Sequence, residues 1–219
     1  MRTLSQKLLL AFALLFVMNG VVVLRLYQTG QNHASGWLRF FNFDSESNLP
    51  TWFSVFLLGT AAWKLWQLSK LDSVRQTFWR ILGGVFAFLA LDELAQIHEK
   101  FNSIGRDLVG YREGIDGGWL HHAWTLPYLL IFVVLGVFLL PTLLRLPRPL
   151  LLRFVLAGTL FLLGAVGVEM FTGTILTSTG KNTGYYLSTT LEESLEMLGV
   201  IYFIFLLGKA PGYLGRAEE

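Results

Sequence analysis

The chain has 219 residues, of which 53% are hydrophobic, 15% aromatic and 15% charged, and its formal net charge is +2. A soluble domain carries about 25% charged residues, so this composition, with a mean hydropathy of +0.54, argues for a membrane protein. The absence of cysteine excludes disulfides, thiol-attached haem, iron–sulfur ligation and a thiol nucleophile, and no basic patch suggests nucleic acid.

Stretches of about 20 apolar residues mark transmembrane helices. Six occur, at 8–24, 50–68, 81–101, 123–144, 150–172 and 189–207. The expected fold is therefore all-α: one polytopic six-helix bundle over residues 1–219, with no separate soluble domain. The first span follows Arg2 and Lys7, as a secretory leader would. It exceeds the roughly 7–15 apolar residues of a leader and lacks an A-x-A site, so a retained helix is expected.

The third span, ILGGVFAFLALDELAQIHEKF, is the unusual one. A charged side chain costs roughly 2.5–3.5 kcal/mol at the centre of a bilayer on insertion scales. At about 100° per residue, Asp92, Gln96 and Glu99 form one stripe, with Glu93 and Lys100 beside it, and His98 projects away from Asp92. Helical rise puts Asp92 about 18 Å above Arg80, near mid-bilayer, so Asp92 and Glu93 call for a partner or a cavity. His98, Glu99 and Lys100 also fit an ordinary hydrated helix end.

The fourth span opens with GGWLHHAW after a glycine-rich connection, Asn102 to Leu120. Adjacent His121 and His122 would point about 100° apart on a helix, so one is expected to face inward; Pro127 lies one turn in. After the minimal link LPRPL, the fifth span carries Glu169 about a turn below its outer end, where a lone acid can snorkel. Gly164 and Gly167 would admit a neighbouring helix. TGTILTSTGKNTGYYLSTT reads as a long outer loop, as does Gln28 to Leu49. The sixth span opens with STTLEESLEMLG. Thr189-x-x-Glu192 and Thr190-x-x-Glu193 fit capping boxes, but Glu196 lies about 10 Å further in, and the Glu193-x-x-Glu196 spacing lets two carboxylates reach one ion.

Orientation follows from Lys and Arg, which collect in cytoplasmic loops. With the N-terminus inside, 11 of the 17 lie on the inner side (Arg2, Lys7, Lys64, Lys70, Arg75, Arg80, Arg145, Arg148, Arg153, Lys209, Arg216), so both termini are expected in the cytoplasm. Trp63, Trp66 and Trp79 then mark the inner interface, and Trp37, Trp52, Trp119 and Trp124 the outer one. Acids play no part in this assignment. Only Asp72, Glu218 and Glu219 fall inside, whereas the other acids, including Asp44, Glu46, Asp107, Glu113 and Asp116, fall in the outer half with every histidine, His33 included. Several helices are thus expected to bring their titratable groups to one pocket on the outer side.

DE-x4-HE near the end of the third span and EE-x2-E opening the last resemble a group of small six-span bacterial membrane proteins of unknown function. That resemblance implies the bacterial inner membrane and supplies no activity. DEL in the third helix is similar to a feature of intramembrane zinc hydrolases of the alkaline ceramidase and adiponectin-receptor type. Those carry a late H-x3-H, where this chain offers glutamates.

The leading functional expectation is a metal-dependent intramembrane enzyme, hydrolase-like, with a lipid as the candidate substrate. Its ligand set is drawn from His98, Glu99, His122, Glu169, Glu192, Glu193 and Glu196, with Asp92 or Glu93 as acid/base. Such oxygen-rich donors with some nitrogen suit zinc, manganese or iron, and a bound ion would neutralise the acids and activate a water. Without Glu-x-x-His, a ferritin-like di-iron centre is not expected. Two alternatives stand: a proton or divalent-cation transporter, for which Asn19, Lys64 and Thr159 are the few inner polar groups, and a non-catalytic subunit that meets a membrane protein partner.

Overall fold

The computed structural model describes residues 3–110 and 118–215; Arg2, Arg112, Glu113, Asp116, Arg216, Glu218 and Glu219 lie outside the described residues. Among these residues the regular structure is entirely helical. Helix α1 (Leu4–Thr29) starts with a capping box between Thr3 and Gln6 and stops at Gly30, which adopts the left-handed φ of 64° that suits a residue without a Cβ. Helix α2 (Leu49–Leu71) is capped by Asn48, whose side chain accepts the Thr51 N–H, with Pro50 in the first turn where its missing N–H costs nothing.

Asp72 turns the chain into α3 (Gln76–Ala95). Its carboxylate accepts the Arg75 N–H at 3.2 Å, the Arg75 guanidinium at 3.0 Å and the indole N–H of Trp79 at 2.9 Å. Trp79 is therefore fully buried and is not an interface tryptophan, unlike the exposed Trp63 and Trp66. The α2–α3 hairpin is tight: a Cβ on Gly83 would lie 3.4 Å from the Ala62 carbonyl.

The third span does not run on to Phe101. Helix α3 ends at Ala95, Gln96 takes a left-handed conformation (φ 51°), and α4 (Ile97–Lys100) and α5 (Asn102–Val109) follow at a bend of 75°. Helix α6 (Thr125–Leu143) leads to α7 (Arg148–Leu162), which passes through a π-helical turn, Leu163–Val168, into α8 (Glu169–Thr179). Only Gly180 to Asn182 separate α8 from α9 (Thr183–Gly215).

The expected long loop before the last span is thus helix. The helix accommodates its hydroxyls internally: Thr174, Thr177, Ser178 and Thr179 donate to carbonyls three or four residues back, as do Thr189 and Thr190. Thr189 and Thr190 are accordingly mid-helix and cap nothing; Asn182 accepts the Tyr185 N–H instead.

Helix α9 is the axis of the bundle and packs on α1, α2, α7 and α8. Gly199 brings it against α7, where a Cβ would stand 2.9 Å from the Phe161 nitrogen and 3.1 Å from the Ala157 carbonyl. The lower core is apolar, built on Leu57, Leu65, Leu150, Phe154, Ile204 and Leu206. Four helices (α1, α6, the continuous 148–179 segment and α9) are long and apolar enough to cross a membrane, and α3 with its bent continuation makes a fifth. Helix α2 covers the remaining expected span, with Thr, Ser, Trp and Lys lowering its hydropathy.

Candidate functional site: an acidic pocket

Above the apolar core lies a cavity of about 460 Å³. Its wall draws acids from four places: Asp44 and Glu46 from the α1–α2 connection, Asp92, Glu93 and Glu99 from α3 and α4, Glu169 from α8, and Glu192, Glu193 and Glu196 from α9. His98, His121 and His122 complete it, with Arg106 and Lys181 as the cations. Every residue singled out from the sequence as a catalytic or metal-ligating candidate therefore lines one pocket. His33 does not.

Two carboxylate–histidine pairs face this space. The His98 imidazole Nδ1 lies 3.3 Å from Asp92 Oδ2, which corrects the expectation that His98 points away. The helical projection fails because the left-handed Gln96 redirects the chain between them. Asp92 Oδ1 also accepts the His98 backbone N–H at 2.7 Å and the Tyr128 hydroxyl at 3.0 Å. With three donors on its two oxygens, buried Asp92 is arranged to hold His98 and Tyr128 rather than to exchange a proton with a substrate. The stripe of Asp92, Gln96 and Glu99 is broken at the same place, and Glu99 is exposed at the rim.

In the second pair, His122 Nδ1 lies 3.0 Å from Glu169 Oε1, which also accepts the Trp124 indole N–H at 3.2 Å. Glu169 hydrogen-bonds Glu192, whose other partner is the Thr172 hydroxyl at 3.2 Å. Because α8 continues to Thr179, Glu169 sits ten residues below the helix end, deeper than one turn, and is engaged rather than snorkelling. Trp124 joins the two pairs, its ring 4.8 Å from that of His98. His121 and His122 both face the pocket because they occupy a turn before α6 and not the helix itself. Gly173 of α8 makes room for that turn; a Cβ there would meet the Gly118 carbonyl at 2.9 Å and His122 at 3.2 Å.

Two imidazole nitrogens in this pocket, His122 Nε2 and His121 Nδ1, are buried without a hydrogen-bond partner. With Nδ1 of His122 directed at Glu169, Nε2 is the ring nitrogen left without a protein partner. Burial and the neighbouring His122 push His121 below its usual range, so it is neutral at neutral pH.

The π turn shapes the floor. Gly164 lets α9 come so close that a Cβ would lie 2.7 Å from the Glu192 carbonyl and 2.8 Å from Glu196 Cγ. The anticipated role of Gly167 is not seen, since the nearest contact of a Cβ there would be Leu163 of its own segment. π turns recur at functional sites. Glu193 and Glu196 lie within reach of each other's charge and of Glu93 and Glu46, with no cation among their principal electrostatic neighbours, while Glu93 also feels His98. Glu46 comes from the loop, beside Ser47 in a left-handed conformation. Its pKa is raised by loss of water on burial and by repulsion from Glu99 and Glu169, partly offset by His98.

Among the described residues, no three Asp, Glu or His side chains stand as a ready-made metal shell. Asp44 is engaged by Lys181 at 2.7 Å and by the Tyr185 hydroxyl, tying the loop to the start of α9. Reasoning from sequence missed Glu46, Trp124, Tyr128 and His121 as site members. Glu46 was visible only as one more outer acid and Trp124 only as an interface aromatic, and no local pattern singled out Tyr128.

The fold and the pocket define a class: an apolar all-helical bundle with a carboxylate–histidine pocket at one end. The chain belongs to the family described as a domain of unknown function, DUF8692, which matches residues 8–209. No curated protein and no solved structure matches it.

Proposed function

We propose that this protein is a polytopic membrane enzyme that binds a divalent cation (zinc, manganese or iron) in the acidic pocket and uses it for hydrolase-type chemistry. The pocket lies in the outer half of a bacterial inner membrane, with both termini in the cytoplasm. The observation that carries this reading is the donor set left unspent. Asp92, Glu169, Glu192 and Asp44 are engaged by protein donors, whereas the carboxylates of Glu93, Glu193 and Glu196 line the same cavity with no hydrogen-bond or ion-pair partner among the described residues, and Nε2 of His122 is buried without one. The Glu169–His122 pair is the arrangement in which a carboxylate fixes the tautomer of a metal-bound histidine.

Glu193, Glu196 and His122 are the ligands in this reading, and Glu93 is the acid/base beside them. These three line one cavity without being preassembled, so their side chains would have to rotate to reach a shared ion. Such an ion would supply a water acidic enough to attack at neutral pH. His98, held by Asp92 in the same pocket, is the group that would donate a proton to a leaving group. A conduction role is disfavoured by the apolar core under Glu196, among the described residues. A purely structural role is disfavoured by the open volume the acids surround.

The test is elemental analysis of the purified protein after metal loading and desalting. About one ion per chain is expected, falling several-fold in Glu193→Gln and Glu196→Gln variants that still fold. Absence of any retained ion, with both variants as thermostable as the parent, would remove the reading.

A further inference from the structure

The pocket has a second, apolar wing that the acids do not explain. Below His122 and Trp124 it is lined by Leu89, Phe132, Phe161, Leu162, Ala165 and Val166. Leu162 belongs to this lining and is also 41% exposed. This side of the pocket therefore adjoins α7, whose Val155, Leu156, Leu162 and the following Leu163 are exposed as residues facing acyl chains would be.

The helix opposite leaves room for an opening there. Helix α6 comes close to α5, but to neither α3 nor α7 to a comparable degree. Only 11% of its most apolar window is buried, against 56% for α9. Helices in a membrane are drawn together by small residues that let backbones meet. The tight pairs here use them, Gly83 between α3 and α2 and Gly199 between α9 and α7. Gly136, in the middle of α6, has nothing within 4 Å of where a Cβ would be. Helix α6 is instead held near its two ends, by the bonds of Trp124 to Glu169 and of Tyr128 to Asp92 above and by Leu139 and Leu143 against the core below. Between those anchors a slot remains beside α7.

We infer that this slot is a lateral entrance for a bilayer lipid, with one acyl chain lying between α6 and α7 and the polar head reaching the acidic pocket. An occupant must be apolar along Phe132, Leu162 and Val166 and polar where it meets Glu93 and Glu196. A membrane lipid has that polarity, and the volume falls within the roughly 300–1,000 Å³ usual for small-molecule sites. The inference rests on the bilayer reading and deepens the proposed activity by naming its substrate class. It does not depend on the metal.

The experiment uses the full chain in nanodiscs of phosphatidylethanolamine and phosphatidylglycerol containing a phospholipid with a diazirine in one acyl chain. After illumination, adducts are mapped by mass spectrometry. Adducts are expected on Phe161, Ala165 and Val166, inside the wing, and should fall at least five-fold in Leu162→Trp, which plugs the opening. Leu130→Trp, on the exposed face of α6, should leave them unchanged. Phe132→Trp serves as a second plug should Leu162→Trp misfold. Adducts confined to Leu130, Val134 and Val137, or wing adducts indifferent to both plugs, would overturn the entrance. Metal content measured on the same samples separates the two claims: an ion retained without wing labelling removes only the entrance, and wing labelling without an ion removes only the metal reading.

Discussion

Gly164 offers the sharpest test of how the pocket is built. Replacing it with alanine sets a methyl group 2.7 Å from the Glu192 carbonyl, backbone that cannot swing aside, and 2.8 Å from Glu196 Cγ. Overpacking of this kind costs about 1–3 kcal/mol. At about 2–4 °C per kcal/mol for a chain of this length, the thermal midpoint should fall by roughly 2–12 °C. Gly136→Ala is the matched control: a methyl there meets nothing, and alanine in a helix interior gains about 0.5–1 kcal/mol over glycine. Both variants are followed by tryptophan fluorescence during heating in detergent. A displaced Glu196 should also weaken cation retention in Gly164→Ala. If Gly164→Ala melts no lower than Gly136→Ala, the close approach of the π turn to α9 at the pocket floor is wrong.

Other outcomes follow from single contacts. Glu169→Gln keeps the shape but weakens the hold on His122, and loss of such a supporting partner should lower metal affinity by about 10–100-fold with little change in the midpoint of unfolding. Tyr128→Phe removes one of three donors to Asp92 and should cost about 1–2 kcal/mol, read from denaturation, without affecting metal content. Gln96→Gly relieves a left-handed residue and should be neutral or stabilising, whereas Gln96→Val should destabilise by about 1–3 kcal/mol. Glu46 has a pKa raised above the ordinary 4.5, so its contribution is present at low pH and lost as pH rises through its folded-state value. Glu46→Gln should therefore be more stable than the parent at neutral pH and lose that advantage below about pH 4.5, measured by melting curves across the range.

Much of the site was legible because charge is expensive in an apolar chain. Asp92, Glu93, Glu169, Glu193 and Glu196 stood out from their surroundings, and the one-sided spread of acids and histidines implied a shared pocket. Local geometry was harder to read. A straight-helix projection separated His98 from Asp92, and nothing in LDELAQIHE marks the left-handed turn at Gln96, which tertiary packing sustains. Thr- and Ser-rich TGTILTSTGKNTGYYLSTT looked like loop because hydroxyl residues favour turns in water. In this bundle the same hydroxyls return to carbonyls of their own helix, and α8 joins α9 almost directly. Tyr128 and Trp124 acquire their roles only from neighbours distant in sequence, so no local pattern announces them.

The central claim is that Nε2 of His122 and the glutamates of α9 take up one cation together. Pulsed electron paramagnetic resonance of the protein loaded with manganese(II) reads this directly, through the coupling of the ion to a directly bound nitrogen. The account predicts one such nitrogen, lost in His122→Gln and retained in His98→Gln, with bound manganese depleted in Glu196→Gln. Bound manganese with no nitrogen coupling, or a coupling unchanged in His122→Gln, would contradict it.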